Sequence, residues 1–346
     1  MLKTITKLLF LGSVLFSVHS SAQYDPYFTH YMLNKLAYNP AVAGEKDAIC
    51  VNALTHQQWS GQSDQSTLYH SQINAESKRV NPRTNTMSIT APLLKDNKLG
   101  VGVQFIQDQL GYNSNMYLRG SVAWKINMGR KLPNGSTDQR FAIGADFGML
   151  QVGLDGSKFN PLQPGDPQIP TTMVSGAKFD MGFGVYYTHQ RLFDGFYAGI
   201  SMTHLTAPTV VVANAINFET RRYMYLLAGT RHDFGTLALM PSLLVKAMGG
   251  PLQVDIGARA MLNNKLVVGL NVRTGDALSL LLGYHILPNL YVGYSYDITA
   301  LSGVNTYTKA GTHELFASYC FDLPDNTPPP LKPRYNVRYL EGYSIY

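Results

Sequence analysis

From residue 253 onward the chain alternates between apolar and polar positions. In "QVDIGARAML", Val254, Ile256, Ala258, Ala260 and Leu262 share one face, and Gln253, Asp255, Gly257 and Arg259 share the other. "LVVGLNVRTGD" and "YVGYSYDIT" repeat the period, the first with Asn271 and Arg273 on its polar side, the second with Ser295 and Asp297. A two-residue period is the signature of a strand with two unlike faces. It fits a membrane barrel, apolar outside and polar within, and equally a soluble sandwich with the faces reversed. Length separates them, because runs of about 10–13 residues match tilted membrane strands and exceed ordinary sandwich strands.

The same pattern predicts strands near 48–60, 84–91, 98–108, 114–128, 139–153, 178–189, 195–205, 221–234, 236–248, 250–262, 264–274, 276–287, 289–300 and 310–322. That is about fourteen, and single-chain bacterial barrels have even counts. Asp233-Phe234-Gly235, Asn263-Asn264, Thr274-Gly275-Asp276 and Pro288-Asn289 read as short turns. Longer connections fall at 61–83, 154–177, 206–220 and 301–309, the second too Pro-rich to pair as sheet. Short turns are expected at the periplasmic rim and long loops outside, with both termini periplasmic.

Composition sharpens the choice. Charged residues make up only 14% of the chain, against about a quarter in soluble domains. Beyond the leader no continuous apolar run reaches the length of a membrane helix. The leader itself has Lys3 and Lys7, then "LLFLGSVLFSV", then Ser20-Ser21-Ala22, which is the order of a signal peptide. Export makes the net charge of +6 a poor argument for nucleic acid, and anionic outer-membrane lipid is the simpler counterpart. The reading is an all-β, transmembrane antiparallel barrel of about fourteen strands with an N-terminal lumen plug. Its parts are a signal peptide at 1–22, a plug segment at 23–47, the barrel at 48–322 and a periplasmic tail at 323–346.

Several dispersed stretches carry a family resemblance. They include "YDPYFTHYMLNKLAYNPAVAG" at the mature N-terminus, "HQQWSG", "LGVGVQFIQDQLG", "YAGISMTHL", "PSLLVKAMGGPLQVDIGARAML", "NVRTGDALSLLLGYHI", "LYVGYSYDIT" and "THELFASYCF". In order and over nearly all of 23–322, the chain resembles the PorP/SprF family of Bacteroidota outer-membrane proteins, associated with type IX secretion and gliding motility. The insertion at 61–83 and the tail depart from the usual family pattern. The resemblance implies a non-enzymatic role without cofactors. The implied partners are outer-membrane lipid and a secreted surface protein with a type IX sorting domain, an adhesin or motility protein, or the secretion machinery itself. A plugged transporter for a hydrophobic or small solute is the alternative.

A looser resemblance to fatty-acid-transporter-like barrels implies that the mature N-terminus enters the lumen around an Asn-Pro-Ala turn, matched here by Asn39, Pro40 and Ala41. Pro40 fixes its own φ and turns Asn39 away from helix, and Gly44 permits a tight reversal. Tyr27, Tyr31 and Tyr38 suit a polar lumen wall, whereas a floppy lead-in would need few aromatics.

Chemical motifs are thin. The histidines show no close pairing of the metal-site kind, so no metal is expected. Ser201 and His204 differ by three in one expected strand and should face opposite ways, which argues against a lipase-type pair. Trp59 and Trp124 read as interfacial anchors. Asp255 and Arg273 share the polar parity of neighbouring strands and should form a lumen-facing pair, since charge on the lipid face is costly. The tail, with Pro328-Pro329-Pro330 followed by Arg334, Tyr335, Arg338 and Tyr339, reads as an extended spacer and partner-binding segment. Cys50 and Cys320 begin the first strand and end the last, so closure should bring them together at one end of the seam. A disulfide and two unbonded thiols both fit; the second is preferred because ladder hydrogen bonds already close the seam.

Overall fold

The computed structural model describes residues 25–46, 48–60, 81–94, 97–131, 137–159, 169–213, 216–248, 252–299 and 311–322. The leader, most of the 61–83 connection and the tail with Arg334, Tyr335, Arg338 and Tyr339 lie outside them. Seventeen strands form among the described residues: β1 Ala48–Gln57, β2 Arg83–Leu93, β3 Leu99–Leu110, β4 Asn113–Lys131, β5 Thr137–Asp155, β6 Met173–His189, β7 Phe196–Thr203, β8 Thr209–Ala213, β9 Ile216–Glu219, β10 Tyr223–Thr230, β11 His232–Asp233, β12 Leu237–Ala247, β13 Gln253–Leu262, β14 Leu266–Arg273, β15 Ala277–Leu287, β16 Leu290–Ile298 and β17 Thr312–Asp322.

Fourteen of these make one closed antiparallel barrel. β1 to β7 pair in sequence, β7 pairs with β10, β10 with β12, and β12 to β17 follow in order. β17 then returns to β1, from Ala48 opposite Asp322 to Gln57 opposite His313. Closure leaves no sheet edge in the wall, which the bilayer demands of any spanning sheet. The expected alternation holds: Leu118, Val122, Trp124 and Ile126 of β4 point outward and exposed, while Arg119, Ser121, Ala123 and Lys125 are buried inward. An apolar exterior around a polar interior is the pattern of a barrel in lipid. No helix among the described residues is long and apolar enough to cross a membrane.

Strands β4 and β5 have 19 residues and β6 has 17, longer than the expected runs. The connection at 206–220, expected as loop, contains the separate hairpin of β8 and β9. Its β-branched run turns Val210 and Val212 onto Ile106, Tyr117, Leu150 and Val152, and that burial gives a short strand pair a reason to form. The hairpin turn after β13 uses Asn263 and Asn264, with φ of 50° and 54°. Both residues take the left-handed conformation that a two-residue primed turn requires.

Antiparallel alternation places the start of β1 and the end of β17 at one rim, with the connections 231–236, 263–265 and 288–289. The long connections lie at the opposite rim. The short turns at 111–112 and 274–276 lie there too, so shortness alone does not mark a side. Asp25, the first described residue, contacts Tyr223 and Lys246, which lie toward the long-connection rim.

Cys50 and Cys320 face each other directly in the ladder and are joined by a disulfide, with Cα atoms 4.1 Å apart. This corrects the preference for free thiols: a directly opposed cross-strand pair already holds the cysteines within bonding range. Purified protein treated with an alkylating reagent without reductant should therefore carry no alkylated cysteine. Cys50→Ser should lower unfolding stability by roughly 2–4 kcal/mol while the barrel still migrates as folded in unheated gels. Full alkylation of both cysteines in native protein would contradict the joined seam.

Candidate functional site

The chemistry of this molecule is concentrated where the lead segment, residues 25–46, meets the inward side chains of the wall. The segment is too irregular for regular structure over more than one turn. It forms two single 3-10 turns, Lys35–Ala37 and Pro40–Val42. Asn39 takes an extended backbone ahead of Pro40, and its Oδ1 accepts from Ala41 N–H at 2.9 Å. Its Nδ2 donates to the Val185 carbonyl of β6 at 3.0 Å. One side chain thus caps its own turn and ties it to the wall. Gly44 has φ +62°, and a Cβ there would lie 2.7 Å from the Ala91 carbonyl oxygen. Glycine is required at that reversal both by conformation and by space.

Three polar knots fasten the segment. The first surrounds Glu314 of β17, which is fully buried. Its carboxylate accepts from the backbone N–H groups of Thr29 (2.9 Å) and His30 (2.7 Å), and pairs with His30 Nδ1 (2.7 Å) and His56 Nδ1 (2.8 Å). Beside it, Arg273 reaches Asp255 at 2.8 Å, Asp276 at 3.1 Å and Asp297 at 3.5 Å. The guanidinium also stacks 4.0 Å over the Tyr27 ring, and the Thr29 hydroxyl donates to Asp297 at 2.7 Å. The aspartates thus neutralise the arginine, and the arginine holds an aromatic of the lead segment.

The second knot is built on Asp25. Its carboxylate pairs with His204 Nε2 at 2.8 Å and accepts from Tyr225 at 2.9 Å, while Lys246 donates to its carbonyl at 2.6 Å. His204 bridges onward to Asp180 at 2.5 Å, and Arg119 lies 3.9 Å from Asp180. Burial works to raise the Asp25 carboxyl, but His204, Lys246 and Arg119 overcome it and hold the group well below the usual carboxylate range. The third knot lies near the termini rim. Lys35 pairs with Glu45 at 2.5 Å, Tyr186 donates to Glu45 at 2.7 Å, and Lys125 donates to the Gly44 carbonyl. Tyr31 sits between the knots, bonded to Ser242 at 3.0 Å, and burial pushes its phenol up to about 12.

Asp255 and Arg273 occupy opposed positions of β13 and β14, both buried. Ser201 and His204 do not point to opposite faces as expected. His204 lies past the end of β7 with φ +54°, where strand parity no longer applies, and both side chains turn inward. Ser201 donates to the Tyr38 carbonyl at 2.6 Å and His204 lies between carboxylates, so each is engaged elsewhere. Trp124 is exposed on the outer face of β4, and Trp59 follows β1 at the long-connection rim. No group of three or more potential ligands is placed to hold a metal among the described residues.

Sequence reasoning missed Glu314, His30, Asp25 and His204. A signal existed for the first. Once Cys50 is set opposite Cys320, counting six residues along each strand sets His56 opposite Glu314. Above the Asp25 knot, a cleft of about 90 Å³ lies between the wall and the β8–β9 hairpin, lined by Asp108, Asn115, Tyr117, Phe218 and Arg221 among others.

Comparison with known proteins adds the family. None of the curated proteins matches the chain. Among solved structures, a Pseudomonas aeruginosa FadL homologue is 12% identical over 81% of this chain and 92% of its own, with a TM-score of 0.42. The Pseudomonas putida toluene transporter TodX is 11% identical over 88% and 96%, with a TM-score of 0.45. The Acinetobacter baumannii outer membrane protein Omp33 is 9% identical over 80% and 99%, with a TM-score of 0.41. Similarity at that level carries no statement about what this chain binds. The family described as type IX secretion system membrane protein PorP/SprF matches residues 20–319, and the chain belongs to that family.

Proposed function

We propose that this membrane component of type IX secretion is a non-enzymatic outer-membrane barrel. In this reading it is plugged by its own residues 23–47 and docks, or helps deliver, a secreted surface partner, an adhesin or motility protein. The observation that carries the reading is the bonding of the lead segment to the wall on every side, above all the four donors converging on Glu314. A lumen so fastened offers no open water path, and the working surfaces are then the rims. The long-connection rim faces outward, the termini rim faces the periplasm, and the lipid belt lies between them. The tail with Arg334, Tyr335, Arg338 and Tyr339 leaves from the periplasmic side and supplies a second contact there.

A plugged transporter is the second reading, and the cleft above Asp25 favours it, because a small solute could rest there against the start of the plug. Reconstituted in planar bilayers, the intact protein should show almost no steady conductance. Glu314→Ala leaves buried donors orphaned at about 1–3 kcal/mol each, and it should produce flickering channel openings with reduced thermal stability. A large, steady conductance in the intact protein would contradict the plug.

Cells lacking the barrel should still make their type IX cargo but fail to display one surface protein, and the wild-type chain should restore it. Deleting 325–346 should reduce that display with the barrel still folded in the outer membrane. Undiminished display would remove the tail from the docking role, and normal display without the barrel would end the docking reading.

A further inference from the structure

From β7 round to β15 the outward positions stay apolar up to the long-connection rim. The last two on a strand are Ile200 and Met202 on β7, Met224 and Leu226 on β10, and Leu270 and Val272 on β14. Three adjacent strands differ. Their last two outward positions are Thr55 and Gln57 on β1, Asn85 and Arg83 on β2, and Gln107 and Gln109 on β3. Alternation fixes the face, because the neighbours His56 and Thr84 are buried inward, the first on Glu314 and the second donating to Asp108 at 2.6 Å. A barrel carries such residues on its outer face where the hydrocarbon has ended.

Register brings three of these side chains together. Gln57 pairs with Arg83, and Arg83 with Gln109. With Asn81 and Pro82 they line a hollow of about 150 Å³ on the outside of the wall. Asn81 donates to the Trp59 carbonyl at 2.6 Å, and its side-chain oxygen remains an acceptor. On the other side of Gln57, its ladder partner His313 is bonded to the Tyr294 hydroxyl at 2.7 Å, with the Tyr296 ring 5.1 Å away. Among the described residues, the side chains of Gln57, Arg83 and Gln109 are bonded to no other protein group.

Height identifies the occupant. The last apolar row on these strands is Ala53, Met87 and Phe105. Arg83 lies four residues beyond Met87, which in a strand tilted by about 40° is roughly 10 Å above that row. A phospholipid headgroup layer is only about 5–7 Å deep on each side of a bilayer. Arg83 therefore stands above phospholipid phosphates, at the height of a sugar headgroup.

We propose that this hollow binds the acidic sugar headgroup of an outer-leaflet glycolipid, with Arg83 on a phosphate or carboxylate and Gln57, Asn81 and Gln109 on sugar hydroxyls. A guanidinium fork suits either oxyanion, and carboxamides offer both donors and acceptors to hydroxyls. The acyl chains then lie along the row of Met87 and Phe105. The inference rests on the outward orientation of the long-connection rim in the docking reading, and on no other part of it.

Native mass spectrometry of the purified full-length protein, titrated with defined lipids in detergent, tests it. The barrel should retain a single molecule of lipid A carrying its acidic inner-core sugars, and should release phosphatidylglycerol at the same concentration. Lipid A stripped of phosphate and acidic sugars should bind no better than phosphatidylglycerol. Arg83→Gln should weaken glycolipid binding about tenfold and Gln109→Ala severalfold, both with unchanged migration of the folded barrel in unheated gels. Lys178→Gln removes an exposed cation at the same rim, outside the hollow, and should change nothing. Orientation is read separately: a Ser175→Cys variant, exposed at that rim, should be labelled on whole cells by a membrane-impermeant maleimide. Absence of that label would overturn the inference through its orientation. With the label present, equal retention of phosphatidylglycerol, or glycolipid binding that Arg83→Gln leaves intact, would overturn the site itself.

Discussion

Fourteen tilted strands enclose a cross-section wider than their own inward side chains can fill. That constraint governs the rest of this structure. The wall must be polar inside because it is apolar outside, and polar groups held away from water need partners. The chain supplies them from its own lead segment. Glu314 is the clearest case, a buried carboxylate whose lone pairs are taken up by two backbone amides and two imidazoles. Removed from that setting it would be an unpaired charge in the middle of a membrane protein.

The same constraint explains where the wall is thin. Gly100, Gly144 and Gly184 stand where the backbone or the Asn39 side chain of the lead segment comes too close for any side chain. Gly229 and Gly283 instead make room for the rings of Tyr197 and Tyr291, and Gly269 for the stem of Arg259. The lumen thus has two sectors, one packed against the lead segment and one lined by aromatic and cationic side chains.

Much of this was legible in the residues. Barrel strands announced themselves by period two, most cleanly in β13, β14 and β16, because each has one face in lipid and one in a polar lumen. Asn263-Asn264 was readable because few residues tolerate a left-handed backbone, and the Asn39-Pro40 step because a proline turns the residue before it away from helix. The β8–β9 hairpin was not, since its strands are short and are stabilised by packing onto β3, β4 and β5 rather than by their own pattern. His204 misled because strand parity was applied one residue past the strand end.

The account stands on the lead segment being fastened inside the barrel through Glu314, and amide hydrogen exchange on the purified protein tests that most directly. The backbone amides of Thr29 and His30 are predicted to exchange as slowly as those of the neighbouring strands β16 and β17, and to lose that protection in Glu314→Ala. Exchange of residues 25–46 at the rate of an unstructured peptide in the intact protein would contradict it.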